Sequence, residues 1–264
     1  MLRINNLSKT FYKGTPEENQ IFDNFSLEIK ENSCVAFLGP NGCGKSTLFN
    51  LISGSLDSDS GTIDIGDKEI SKLPEQERAL LIGKVNQNPS MGVAPSLNIL
   101  ENMSMAYKKG QKFTLKRLID KNNNDEIINK LKTIGLGLEN KLNTEVKFLS
   151  GGQRQCLSLL MATVRTPKIL LLDEHTAALD PKTSSVIMDK TNELIREEKI
   201  TTLMITHNLR HALEYSDRII MLNHGKVVLD IKPSEITEEE LNRIYYEKIE
   251  DTKEVEVPKL VKIA

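Results

Sequence analysis

CVAFLGPNGCGKSTLFNLISG, residues 34–54, holds in order a short apolar strand, a glycine-rich turn and a helix. Cys34 to Leu38 is an unbroken apolar run, the pattern of a strand covered on both faces by helices. GPNGCGKST, Gly39 to Thr47, then satisfies G-x-x-x-x-G-K-[ST], and the helical stretch behind it ends near Gly54. Gly39, Gly42 and Gly44 let the backbone turn sharply enough for successive N–H groups to converge on a phosphate, to which the following helix N-terminus adds its positive dipole end. Lys45 is placed to hold the β- and γ-phosphates, and Ser46 to ligate Mg²⁺ through its hydroxyl, since that hard cation prefers oxygen. Asn41, Cys43 and Thr47 complete the loop residues assigned to the nucleotide. The Cys43 thiol reads as a small tolerated side chain rather than a redox switch.

Working outward, Ile169 to Leu172 and Thr202 to Thr206 repeat the buried-strand pattern and alternate with helical stretches. The expected fold is therefore an α/β P-loop NTPase core with a mainly parallel sheet and its active groups at the strands' carboxyl ends. The opening third differs. Leu2 and Ile4 alternate with polar neighbours, as do Phe25, Leu27 and Ile29, and Ile63 and Ile65 follow Gly61, so an antiparallel β subdomain of half-exposed strands is expected there.

From about Pro95 to Val164 polar helical sequence takes over, with Ile127, Ile128, Leu131 and Ile134 on one face that ends at Gly135. Lys121 to Glu126 reads as a polar turn within this helical insert, and Lys108, Lys109, Lys112, Lys116 and Arg117 as a solvated basic face. After Pro233 the chain is strongly charged, with Ile236, Leu241 and Ile244 the main apolar helical positions before the alternation Glu254 to Val257. The expected division is one nucleotide-binding domain over 1–232, containing a helical subdomain over about 91–164, and a charged C-terminal extension over 233–264.

Composition excludes several classes. Of 264 residues 39% are apolar and 27% charged, and no apolar run approaches the roughly 18 to 20 residues a membrane helix needs. The start, MLRINNLSKT, lacks an apolar stretch of secretory length, which points to the cytoplasm. Cys34, Cys43 and Cys156 are odd in number and lack C-x-x-C spacing, which argues against a disulfide framework or a structural zinc site. A net charge of −2 offers no field for nucleic acid, so none is expected as a partner.

Three further stretches carry chemistry. KILLLDE, Lys168 to Glu174, delivers two carboxylates at the end of a buried strand, where uncompensated charge is costly and a cation is needed. Asp173 is the expected Mg²⁺ partner, and Glu174, pointing differently, the general base for an attacking water. LSGGQRQ, Leu149 to Gln155, sets Ser150 and Gln153 at capping-box spacing, and Leu157, Leu160, Met161 and Val164 continue a helix; taken alone, its start is either a second phosphate cradle or simply a well-capped helix end. Ser150, Gly152 and Gln153 are its binding candidates. His207 follows the strand ending at Thr206, and Gln87 closes KVNQ, both at the sheet edge that holds Lys45 and Asp173.

With GPNGCGKST, Gln87, LSGGQRQ, KILLLDE, AALD at Ala177 to Asp180 and His207 in that order, residues 1 to 230 resemble the ATP-binding subunit of an ABC transporter. The resemblance implies that Phe11, or its neighbour Tyr12, stacks on adenine. It implies that Gln87 couples Mg²⁺ to a permease, that Ser150 and Gly152 contact a partner's γ-phosphate, and that His207 senses the γ-phosphate in its own chain. It also implies a head-to-tail dimer of two ATPase subunits closing over two ATP molecules. An integral membrane permease would meet the helical insert at the cytoplasmic face, with an extracellular substrate-binding protein beyond. Where the family usually has proline after the catalytic Glu, this chain has His175. NPSMGVAPSLNILENMSMAY (88–107) and LLLDEHTAALDPKT (170–183) are locally similar to ATPase subunits of tryptophan- or tyrosine-type amino-acid uptake systems.

The rival class is a soluble ABC ATPase acting on ribosomes or nucleic acid, which typically carries two cassettes or a long coiled-coil insertion, and neither occurs here. A guanine reader is not completed either, because Asn140 and Lys141 are followed by Leu142 and Asn143. A lone cassette without fused membrane helices leans towards import.

Overall fold

The computed structural model describes residues 1–110, 119 and 123–253, with side chains as far as 247. Its strands are β1 (Leu2–Phe11), β2 (Asn19–Ile29), β3 (Cys34–Leu38), β4 (Ser60–Ile65), β5 (Lys68–Glu69), β6 (Ile82–Val85), β7 (Ile169–Asp173), β8 (Thr201–Ile205), β9 (Arg218–Asn223) and β10 (Lys226–Ile231). Its α-helices are α1 (Lys45–Ser53), α2 (Glu75–Arg78), α3 (Ile99–Tyr107), α4 (Asn124–Ile134), α5 (Gly151–Thr163), α6 (Pro181–Glu197), α7 (Leu209–Tyr215) and α8 (Glu238–Lys253).

Alternation along the chain decides the first sheet. Leu2, Ile4 and Leu7 of β1 point into the core while their neighbours face outward, and β1 pairs antiparallel with β2 and β4 in the order β2-β1-β4-β5. The second sheet runs β10-β9-β3-β8-β7-β6, with β9, β3, β8, β7 and β6 mutually parallel and β10 antiparallel at one edge.

The parallel strands read as continuous apolar runs because each supplies two cores. Val35 and Phe37 of β3, with Ile169 and Leu171 of β7, join α1 and the antiparallel sheet in one cluster. Cys34, Ala36 and Leu38, with Leu170 and Leu172, join helices α3 to α8 in the other. Successive side chains of a strand point to opposite faces, so a strand buried on both sides has no polar beat left.

Between β6 and β7 the described elements are α3, α4, α5 and short 3₁₀ turns. Ile127, Leu131 and Ile134 bury one face of α4, and Gly135 ends it with a left-handed φ of 70°. Two local expectations are corrected here. Asn124 to Glu126 form the first turn of α4 rather than a turn, since Asp125 and Glu126 favour the positive end of a helix; Lys121 and Asn122 lie outside the described residues. Lys109 is not on a solvated face: its Nζ donates to the Ile82 carbonyl at 3.3 Å, and burial pulls its pKa down. Lys112, Lys116, Arg117 and the alternation Glu254 to Val257 lie outside the described residues.

The charged C-terminal stretch packs back on the parallel-sheet body. Thr237 and Glu240 exchange capping hydrogen bonds of 3.2 Å and 3.0 Å at the start of α8, which follows with three acidic residues in its first turn. Leu241 is fully buried, and Ile236, Ile244 and Tyr245 pack against the larger core. Among the described residues no helix is long and apolar enough to cross a membrane.

Candidate functional site

The loop between β3 and α1 has the backbone its glycines allow. Gly39 has φ 140°, and a Cβ there would lie 2.2 Å from the Leu222 carbonyl oxygen; Gly44 has φ 110°, and a Cβ there would meet the Phe22 ring at 2.9 Å. Only glycine combines those φ values with so close an approach. Lys45 opens α1 and is buried, its Nζ donating to the carbonyls of Gly39 at 2.7 Å and Pro40 at 2.9 Å, 3.8 Å from Cys43 Sγ. Burial raises the Cys43 thiol pKa while the Lys45 ammonium draws it back, and burial pushes Cys34 and Cys156 up to about 12. Ser46 and Thr47 follow on the first turn of α1, which has neither a side-chain cap nor an acidic residue at its positive end. Asn41 and Gly42 are exposed at the tip of the loop.

β7 carries the two acids to the same edge. Burial raises the Asp173 carboxyl pKa, opposed chiefly by the Lys84 ammonium, whose Nζ donates to Asn50 Oδ1 at 2.8 Å. Glu174 leaves the strand with a left-handed φ of 46°, its N–H donating to the Ile205 carbonyl at 3.1 Å. That turn separates the direction of its side chain from that of Asp173. The Glu174 carboxylate is clasped from both sides: Gln87 Nε2, just past β6, donates to Oε2 at 3.2 Å, and His207 Nε2, just past β8, lies 2.8 Å from Oε1. The ends of three adjacent parallel strands thus meet at one carboxylate.

His175 turns away from this cluster. It is 2% exposed, with Nε2 3.4 Å from Thr191 Oγ1, whose hydroxyl donates to the Ile187 carbonyl at 2.7 Å, so the imidazole presents an N–H to the hydroxyl. Burial, with His211 adding in the same direction, pushes His175 down to about 4, which keeps it neutral at pH 7.

The signature stretch is built differently. Ser150 caps α5, its Oγ accepting from the Gln153 N–H at 3.2 Å while Gln153 Oε1 accepts from the Ser150 N–H at 3.2 Å. Gln153 Nε2 also donates to the Leu136 carbonyl at 3.3 Å, so its amide anchors the helix start to the end of α4. Gly152 lies against α6, where a Cβ would come 2.7 Å from the Thr183 methyl. Among the described residues no hydrogen bond or ion pair joins Ser150, Gly152 or Gln153 to Lys45, Glu174 or His207. Phe11 ends β1 with its ring centroid 6.5 Å from that of Tyr12, which is 67% exposed.

Two residues near the site escaped the sequence reading. Lys84 is the first residue of KVNQ, and only its strand register identifies it as the cation facing Asp173. Tyr245 OH lies 3.3 Å from His207 Nδ1. It stands four residues after Leu241, on the same helical face, so periodicity held a signal that its place in a charged tail obscured.

A parallel sheet whose strand ends gather a glycine loop with its lysine, a half-buried Asp and a clasped Glu defines a P-loop nucleotide-hydrolysing protein. The family model described as ABC transporter matches residues 22–177. The chain is 49% identical to a tyrosine transport ATP-binding protein of Clostridioides difficile (strain R20291) over 89% of its own length and 93% of the relative's. It is similar to a dimeric ATP-binding cassette in a post-hydrolysis state bound to ADP and Pi, at TM-score 0.75 and 31% identity, covering 88% of this chain and 99% of that one. It is also similar to cbiO1 of Clostridium perfringens, described as part of the ABC transporter complex cbiONQ, at TM-score 0.75 and 29% identity, over 96% and 97% of the two chains. The chain belongs to the ABC transporter family and is an ATP-binding, ATP-hydrolysing subunit that powers a membrane transporter.

Proposed function

We propose that the chain drives uptake of an aromatic amino acid through a separate membrane permease, one ATP being held by each of two copies. Support for the substrate class is the 49% identity to a protein named for tyrosine transport. Support for a permease is the family itself, together with the likeness to a subunit of a multi-part transporter complex. An extracellular substrate-binding protein would deliver the amino acid, and the chain would act at the cytoplasmic face. The nucleotide-binding unit is taken as 1–232, its helical part about 91–164 meeting the permease, with 233–264 as an extension.

The observation that carries the chemistry is the clasp of Glu174 between Gln87 and His207 at the edge that also holds Lys45. Gly39, Asn41, Gly42, Cys43, Gly44, Lys45, Ser46 and Thr47 surround the phosphates, Lys45 serving the β- and γ-groups. Phe11, with Tyr12 as the alternative, stacks on adenine. Glu174 accepts the proton of the attacking water as that water's oxygen bonds to the γ-phosphorus and the bond from that phosphorus to the bridging oxygen breaks, the electron pair leaving on ADP. His207 Nε2, which contacts the Glu174 carboxylate here, turns its one N–H to a γ-phosphate oxygen when ATP is bound, releasing the carboxylate to the water.

Mg²⁺ fits the donors: the Ser46 hydroxyl, the Asp173 carboxylate and the Gln87 amide oxygen are hard ligands, and a carboxyl whose pKa burial raises gains from a cation beside it. When bound, Mg²⁺ neutralises charge on the β- and γ-phosphates. Ser150, Gly152 and Gln153 serve the nucleotide of the opposing copy. Deleting the gene should abolish energy-dependent uptake of labelled tyrosine or tryptophan by the cell, and an E174Q copy should fail to restore it. Unchanged uptake of both would overturn the substrate class.

A further inference from the structure

We infer that Tyr245, on the C-terminal helix, is a positioning residue for His207: its hydroxyl donates to Nδ1 and so holds the imidazole in the tautomer that presents an N–H at Nε2. The inference rests on the reading of His207 as the γ-phosphate contact and extends it to a part of the chain outside the recognised motifs.

For a neutral imidazole the hydrogen-bond inventory fixes the direction. An ionised Glu174 only accepts, so the 2.8 Å contact from Oε1 requires the proton on Nε2 of a neutral His207. Nδ1 is then an acceptor, and the group 3.3 Å away is the Tyr245 hydroxyl, which can donate. That hydroxyl stays protonated because burial, with Cys43, Tyr246 and Glu174 contributing, raises its pKa from an already high value. The other nitrogen's hydrogen bond decides which tautomer an imidazole adopts. The tautomer favoured here is the one that serves a phosphate oxygen, because the alternative would present a lone pair to an anion.

Tyr245 is held in place by more than its own bond. One turn before it, Leu241 is fully buried, and the α8 cap at Thr237 and Glu240 fixes where the helix begins. Arg210 on α7, three residues past His207, meets Glu238 at the start of α8 through contacts of 2.9 Å and 3.1 Å. Both charges are exposed, so this pair adds register more than stability. Next to Tyr245, Tyr246 is 59% exposed, its ring edge-on at 6.1 Å between centroids.

The test uses the full chain with ¹⁵N-labelled histidine, where the H207A variant identifies the His207 ring signals. Wild type should show His207 as the Nε2–H tautomer. Y245F keeps the ring and its packing but removes the donor, so the spectrum should move towards a mixture of tautomers. ATP turnover should fall roughly 3- to 10-fold, the rate equivalent of one hydrogen bond between neutral groups, with KM for ATP within about 2-fold. Y246F should match wild type in both measurements, and the melting temperature of Y245F should be unmoved. Unchanged His207 signals and unchanged turnover in Y245F overturn the inference alone, provided that H207A loses activity. A fall in turnover with an unmoved tautomer also overturns it, because Tyr245 would then act through packing. Full activity in H207A overturns it together with the role assigned to His207.

Discussion

Glu174 bears the sharpest expectation among single residues. Its carboxylate is held by an amide on one side and an imidazole on the other, so Glu174→Gln keeps the shape and removes the proposed base. Turnover should fall roughly 10²- to 10⁴-fold with ATP affinity retained, as read by phosphate release and by nucleotide titration. Turnover within about 2-fold of wild type would assign the base elsewhere. Lys45→Ala acts one step earlier. The ammonium is the main point charge of the loop, and losing it should weaken ATP binding about 10- to 100-fold in titration calorimetry, although the backbone donors remain. His175 shows how a departure from family habit is accommodated: a buried neutral ring faces Thr191 of α6 instead of the Glu174 network.

At the scale of elements, α8 depends on one side chain. Leu241 is fully buried where the helix meets α7 and the core, so Leu241→Ala should cost about 2–5 kcal/mol locally if the site cannot collapse. The expected outcome is faster amide exchange and earlier proteolytic cleavage in α8, with slower hydrolysis and the rest of the chain still folded. Exchange in α8 equal to wild type would mean that the helix is held elsewhere. Much of the element pattern was legible in the sequence, because the deciding signals are local. Cys34 to Leu38 is β3 residue for residue, Gly54 and Gly135 end α1 and α4, and the Ser150–Gln153 spacing is the α5 cap. What stayed hidden depends on approaches between distant residues. Lys109 folds onto a strand carbonyl 27 residues away, and Tyr245 reaches His207 across 38. Spacing can mark Tyr245 as facing the core but names no partner for either residue, and a run of charged residues looks the same whether it floats or docks.

For the whole molecule, the arrangement of the two helix starts proposed to bind phosphate carries the prediction. Ser150, Gly152 and Gln153 are committed to the α5 cap, to α6 and to the end of α4, and share no hydrogen bond with the Lys45 loop among the described residues. A second copy turned head to tail would bring one chain's α5 start to the other's loop. Ser150→Arg and Lys45→Ala chains should each be nearly inactive, yet regain partial activity on mixing, because a mixed dimer contains one undamaged composite site. Silence from a mixture with demonstrated mixed dimers would count against independent shared sites, and full activity of a dilute monomer would exclude sharing.

The six-stranded sheet, finally, is a wall one residue thick between two apolar compartments. Phe37 belongs to one and its chain neighbours Ala36 and Leu38 to the other, so neither compartment can loosen without pulling on strands that the other still grips. Heat should therefore find a single thing to melt: one endotherm in a scanning calorimeter, lowered alike by Leu48→Ala on one side of the wall and Leu160→Ala on the other. Strain from the helical side then reaches the phosphate loop by the shortest route available, through the thickness of a strand.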